Sequence, residues 1–207
     1  MSFLTLLDYA SVLVFAASGA MVASRAQLDI VGFAFIACLT AVGGGTVRDL
    51  LLDRHPVFWV ADPMPIVLAA LMAVLVFFTA HLVESRLRWV VWLDSFALAI
   101  AVPAGTGAAI ELGHGPVIVV LMGMATGAFG GLMRDVVCNE VPLVLKQGEP
   151  YVSCAMIGAM SAITLVWMEL PLNIALLVCA AVTWASRASA LLWGWSLPVY
   201  KSRPPRQ

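Results

Sequence analysis

Two stretches of this chain hold most of its chemically capable residues, and they are copies of one another. Thr40, Gly44, Gly45, Arg48 and Asp49 recur 86 positions later as Thr126, Gly130, Gly131, Arg134 and Asp135, so each copy reads Thr-x-x-x-Gly-Gly-x-x-Arg-Asp. The same register aligns Asp8 with Asp94, Gly19 with Gly105 and Pro56 with Pro142. Glycine runs let backbones approach closely or unwind and expose carbonyl oxygens. Threonine adds a hydroxyl, and arginine beside aspartate adds paired charge. That inventory suits the handling of ions or small polar solutes. It does not suit bond breaking, because there is no Gly-x-Ser-x-Gly or His-Glu-x-x-His, and the membrane aspartates are each adjacent to or facing an arginine. An enzyme is not expected, nor a cofactor, and Cys38, Cys138, Cys154 and Cys179 lack the CxxC spacing of a metal or disulfide site.

The charges need partners. Neighbours on a helix point about 100° apart, so Arg48 and Asp49 are expected not to pair with each other, and likewise Arg134 and Asp135. The expected ion pairs are Asp8 with Arg48 and Asp94 with Arg134, one at each mouth of a path. Asp49 and Asp135 are then left to bias that path toward cations.

Gly43, Gly44 and Gly45 lie about 24 Å along the second apolar segment at ~1.5 Å per residue, inside the hydrocarbon. Each glycine costs a helix ~1 kcal/mol relative to alanine, which makes the run a candidate kink or unwinding point. Gly127, Gly130 and Gly131 repeat it in the fifth segment, with the hydroxyls of Thr40, Thr46 and Thr126 nearby. Close helix packing is the competing reading of the same glycines, because small-xxx-small spacing serves helix contact equally well.

The elements that must position these residues follow from composition. Of 207 residues, 62% are hydrophobic and 11% charged, with a formal net charge of -1, which excludes a soluble domain, disorder and a nucleic-acid module. Apolar segments at residues 3–24, 28–52, 65–83, 89–110, 117–137, 151–168 and 172–195 predict an all-α polytopic membrane protein with seven transmembrane helices. Three spans per copy is an odd number, so the second copy enters from the opposite side: an inverted-topology repeat of three plus three helices and a seventh outside it. The expected divisions are 1–88, 89–170 and 171–207, the last holding the seventh helix and a basic tail. Arg25, Arg86, Arg88, Lys146, Arg187, Lys201, Arg203 and Arg206 gather on one side and Arg54 on the other, which places the C-terminus in the cytoplasm and the N-terminus outside. Trp59, Trp89, Trp92, Trp193 and Trp195 read as an interfacial aromatic belt.

With Gly43-Gly-Gly-Thr-Val-Arg-Asp49 in the second span and Gly130-Gly-Leu-Met-Arg-Asp135 in the fifth, the chain resembles the prokaryotic trimeric intracellular cation channels over nearly its whole length. The resemblance implies a homotrimer in the bacterial inner membrane. Each protomer would carry its own pore, lined by kinked second and fifth helices and conducting monovalent cations, principally potassium and with sodium as a further candidate. It implies Gly43, Gly44, Gly45, Gly130 and Gly131 as hinge and constriction residues and Arg48, Asp49, Arg134 and Asp135 as their polar support. Phe129 stands where a second triple glycine would begin. Eukaryotic relatives use a basic motif in the fifth helix for phosphoinositides; no such cluster is present here, so lipid gating is not carried over. Members of the wider bacterial family are described as glycine transporters, which makes a secondary transporter for glycine or another small zwitterion the alternative function. The lipid bilayer is the expected surround, with neither a nucleic acid nor a soluble protein partner.

Overall fold

The computed structural model describes residues 2–83, 85–198 and 200. The basic tail at Lys201, Arg203 and Arg206 lies outside the described residues, as does the side chain of Arg86. Among the described residues eight α-helices follow in order: α1 (Phe3–Arg25), α2 (Ile30–Leu51), the one-turn α3 (Phe58–Ala61), α4 (Met64–Thr79), α5 (Arg86–Glu111), α6 (Pro116–Val137), α7 (Tyr151–Trp167) and α8 (Leu172–Trp193). Six helical stretches among them are long and apolar enough to cross a membrane, and α7, at 17 residues, is a shorter apolar seventh. The protein is an all-α polytopic membrane protein.

Local chemistry sets the helix ends. The Ser2 side chain accepts the Thr5 N–H and Asp29 accepts the Gly32 N–H, so α1 and α2 start on side-chain caps. Pro116 opens α6 at a position where its missing N–H costs nothing. Helix α6 has the bounds of α2 moved on by 86 residues, and α1 and α5 end 86 apart. The turns match too. Gln27 and Gly113 both have positive φ (55° and 74°), as do Asp53 and Asn139 (53° each).

In hydrocarbon, helices associate through close fit more than through burial of apolar area. The interior is accordingly rich in small residues, with Ala16, Ala20, Ala37, Ala97, Ala101 and Ala155 almost wholly buried. Large apolar side chains such as Val31, Phe35 and Leu71 point outward. Helix α1 packs on α5, and α2 on α6, at the centre of the molecule. Helix α4 flanks α1 and α2, whereas α7 and α8 pack on each other and on α5.

Candidate functional site: two arginine triads flanking a helix crossing

The expected unwinding is absent: α2 runs as continuous helix through Gly43, Gly44 and Gly45, and α6 through Gly127, Gly130 and Gly131. The glycines instead allow α2 and α6 to touch backbone to backbone. A Cβ on Gly44 would stand 2.1 Å from the Thr126 carbonyl oxygen, and one on Gly130 would stand 2.3 Å from that of Thr40. Neither separation is possible for real atoms, so both positions require glycine. Thr40 and Thr126 donate to the carbonyls of Ile36 and Met122 one turn back (2.6 and 2.7 Å) and face Gly19 and Gly105. Their hydroxyls are thus occupied within their own helices.

The other glycines differ. Gly45 makes room for the Phe58 ring and Gly127 for Leu98 and Val102, while Gly43 lies near the flexible end of Met133. At Gly131 a Cβ would meet only ordinary contacts, the nearest being Asp94 Oδ2 at 3.5 Å. Thr46 donates to the Val42 carbonyl (2.7 Å) and accepts from Trp59 Nε1 (2.8 Å). Trp59 therefore holds α3 against α2.

Above and below the crossing stand two buried arginines. Arg48 Nη1 and Nη2 donate to Asp8 Oδ1 and Oδ2 (2.6 and 3.2 Å), and Arg134 Nη1 and Nη2 donate to Asp94 Oδ1 and Oδ2 (2.7 and 2.9 Å). Contrary to the sequence expectation, each arginine also pairs with its own neighbour: Arg48 Nε donates to Asp49 Oδ1 (2.8 Å) and Arg134 Nε to Asp135 Oδ1 (2.7 Å). The 100° offset concerns Cβ directions. A long arginine side chain folds back so that its Nε edge meets the neighbour while its Nη fork reaches the facing helix.

Asp49 and Asp135 are consequently not free to line a path. Asp49 Oδ2 accepts the Phe58 N–H (2.9 Å), and its Oδ1 also accepts from Arg54 Nη1 (3.2 Å). Asp135 Oδ2 accepts the Leu143 N–H (2.9 Å). Each thus anchors the chain that follows its helix, at α3 in one half and at the short 3-10 turn Leu143–Leu145 in the other.

The two ends are unequal. The Ser18 hydroxyl donates to Asp94 Oδ1 and accepts from Arg134 Nη1, leaving Asp94 about 1% exposed. In the repeat register Ser18 corresponds to Ala104, which has no hydroxyl to give Arg48 and Asp8. Asp8 is 14% exposed and borders a cavity of about 10 Å³ shared with Ser11, Gly44, Phe58 and Thr126, room for about one water.

Three polar contacts went unforeseen. Arg25 Nη2 lies 3.3 Å from Glu140 Oε1. Arg187, counted from sequence as a topology charge, is buried on α8, donates to Glu149 Oε2 (2.7 Å) and lies over the Tyr151 ring. Its signal was a lone arginine well inside an apolar segment. Ser18 carried no signal of its own. Among the described residues, no group of three or more His, Cys, Asp or Glu side chains is placed to hold a metal ion.

The family model described as Glycine transporter matches the chain twice, over residues 5–81 and 91–167, which are themselves 86 residues apart. The inner membrane protein YadS of Escherichia coli, a UPF0126 protein, is 36% identical over 94% of both chains. Among solved structures, the TRIC trimeric intracellular cation channel orthologue from Rhodobacter sphaeroides superposes with a TM-score of 0.90 at 41% identity, covering 94% of this chain and 100% of that one. A structure described for conductance through TRIC cation channels gives 0.86 at 27% identity, covering 99% and 100%. With the double match and these end-to-end relatives, the chain belongs to the bacterial family that unites the UPF0126 membrane proteins with TRIC-type channels, the one whose model is described as Glycine transporter.

Proposed function

We propose that the protein is a monovalent cation channel of the bacterial inner membrane. It assembles as a homotrimer, with a conduction path in each protomer along the crossing of α2 and α6. The observation that carries this reading is the 41% identity and 0.90 TM-score to the Rhodobacter sphaeroides cation channel over all of that chain. The local electrostatics support it. Around Arg134 one guanidinium meets two carboxylates, Asp94 and Asp135, which leaves one net negative charge next to the crossing, whereas at the other end Asp8 and Asp49 are balanced by Arg48 and Arg54. A buried excess of negative charge favours a passing cation and opposes an anion.

Potassium is the principal ion in this reading and sodium a secondary one. The N-terminus lies outside and the C-terminus in the cytoplasm. Residues 1–88 and 89–170 form the two inverted repeats, a division supported by the twofold family match and the 86-residue agreement of helix bounds. Gly44 and Gly130 set the constriction by close approach, Gly43, Gly45, Thr46, Gly127 and Gly131 stand around it, and Thr40 and Thr126 brace it.

Purified protein in liposomes should pass potassium as single-channel currents that rise linearly with voltage. The family model's description favours a second reading, exchange of glycine at the same crossing. Saturable radiolabelled glycine exchange without currents would establish that reading and overturn the channel.

A further inference from the structure

Gly45 and Gly131 are equivalents in the 86-residue register, and their surroundings differ. A Cβ on Gly45 would stand 2.6 Å from Phe58 Cε1, so the Phe58 ring lies directly on the backbone of α2. A Cβ on Gly131 would meet, within 4 Å, only Asp94 and Arg134 of the adjoining triad, at 3.5 and 3.7 Å. The residue equivalent to Phe58 is Val144, in the short turn after α6, and its side chain packs on the apolar cluster of α5, α7 and α8. Among the described residues, then, the first half has an aromatic cover on its motif glycine and the second half has none.

The cover also stands beside the crossing. Phe58 borders the cavity of about 10 Å³ together with Asp8, Ser11, Gly44 and Thr126, and Arg48 Cζ lies 5.6 Å from the centre of its ring. Its N–H is the one that Asp49 accepts, so the carboxylate that pairs with Arg48 also positions the ring. We propose that Phe58 is the residue that limits ion passage at the Arg48 end. Its ring narrows the approach to the Gly44–Thr126 contact to the space of a single water, and lifting of α3 off Gly45 opens it. The proposal rests on the channel reading above.

The chemistry suits a movable constriction. A cation needs several oxygens around it, and a one-water space walled by an aromatic ring offers too few; apolar constrictions stop ions by excluding water. Helix α3 is one turn long and buries none of its residues. It is fastened by polar ties instead: Asp49 to the Phe58 N–H, Thr46 to Trp59, and, just past its end, Tyr9 to Asp62. Each is an ordinary hydrogen bond, and the cation–π contact with Arg48 adds a further weak hold. The ring can therefore lift without unfolding a membrane helix, and Asp8 then meets water directly.

The test uses the full chain with Cys38, Cys138, Cys154 and Cys179 replaced by alanine and Ser11→Cys added as a reporter in the cavity. In detergent, the thiol at position 11 should react slowly with a small cationic methanethiosulfonate. Trp59→Phe keeps Phe58 and removes one tie of α3. It should speed the reaction roughly two- to twelvefold, the shift that one hydrogen bond exerts on a two-state balance. Phe58→Ala should speed it further. In liposomes, without the reporter, potassium flux should rise in the same order, while Val144→Ala leaves it unchanged. Where Phe58→Ala lowers the thermal midpoint below the working temperature, Phe58→Leu takes its place and should react faster than the parent. A reaction rate that ignores these substitutions would overturn the proposal, as would faster reaction with unchanged flux, or a gain from Val144→Ala equal to that from Phe58→Ala. Absence of potassium current in every variant, with reactivity still following the series, would refute the channel reading instead and leave Phe58 as the cover of the crossing.

Discussion

At the scale of single residues, the glycines of one motif are not equivalent. Gly44→Ala drives a methyl group into the Thr126 carbonyl, a backbone atom that can move only with α6. The expected cost is about 1–3 kcal/mol of overpacking, seen as a lower thermal midpoint in detergent, together with a loss of potassium flux. Gly131→Ala meets nothing closer than 3.5 Å and gains up to ~1 kcal/mol of helix propensity, so its midpoint should hold or rise. Equal losses in the two variants would show that these glycines act by flexibility and not by clearance. The aspartates also divide. Asp94→Asn removes one of two carboxylates from a fully buried Arg134, and breaking such a pair costs about 3–5 kcal/mol, with Asp135 left to hold the effect near the low end. Asp8→Asn should cost less, because Asp8 reaches solvent. Exchanging charges between Asp94 and Arg134 should rescue only part of the loss, since an aspartate at 134 would face Asp135 across the contact that Nε now makes. The midpoints of the single and double variants measure this directly.

At the scale of elements, the helices were legible in the sequence to within a few residues, because charge and turn chemistry punctuate long apolar runs so plainly. The partners of Arg48 and Arg134 across α1 and α5 were legible as well, through rarity and register. What the glycines do at the crossing was not: unwinding and close approach call for the same residue, and only the distance from Gly44 to Thr126 separates them. The pairing of Arg48 with Asp49 was hidden because helix geometry speaks for Cβ and not for the tip of a long side chain. Helix α3 was hidden because its start depends on an N–H bond from Phe58 to the distant Asp49. The linker from α3 to α4 has a further tie, in which the Tyr9 hydroxyl of α1 donates to Asp62. That bond, and next the Met64 N–H, hold the Asp62 carboxyl below its usual 3.8. A lowered carboxylate pKa contributes stability above the unfolded value and loses it as pH falls through the folded one. Tyr9→Phe should therefore lower the thermal midpoint at neutral pH, and its curve should merge with that of the unmodified protein once the pH is well below 3.8. A gap that persists in acid would assign the tie to packing of the ring.

At the scale of the whole molecule, two copies of one backbone design meet at α2 and α6, with most side chains changed but the Thr-x-x-x-Gly-Gly-x-x-Arg-Asp motif and its facing aspartate kept in both. Because the kept residues form the same pairs at both ends, the substitutions that touch those pairs account for the unequal ends. Ser18 is the clearest, because its hydroxyl bonds both partners of the Asp94–Arg134 pair, while Ala104 leaves the Asp8–Arg48 end without one. A buried hydrogen bond is worth about 0.5–1.5 kcal/mol net, which corresponds to roughly two- to twelvefold in a two-state balance. Ser18→Ala should loosen the Arg134 end and raise potassium flux within that range. Ala104→Ser should give the Arg48 end the same clasp and lower it. The double variant transfers the clasp from one end to the other, so if the mouths open at opposite voltage polarities, the asymmetry of open probability with voltage should reverse in bilayers of fixed orientation. Flux that follows the total number of clasps and ignores their position would mean that the halves act as one gate. A reversed asymmetry would show that each half closes its own mouth.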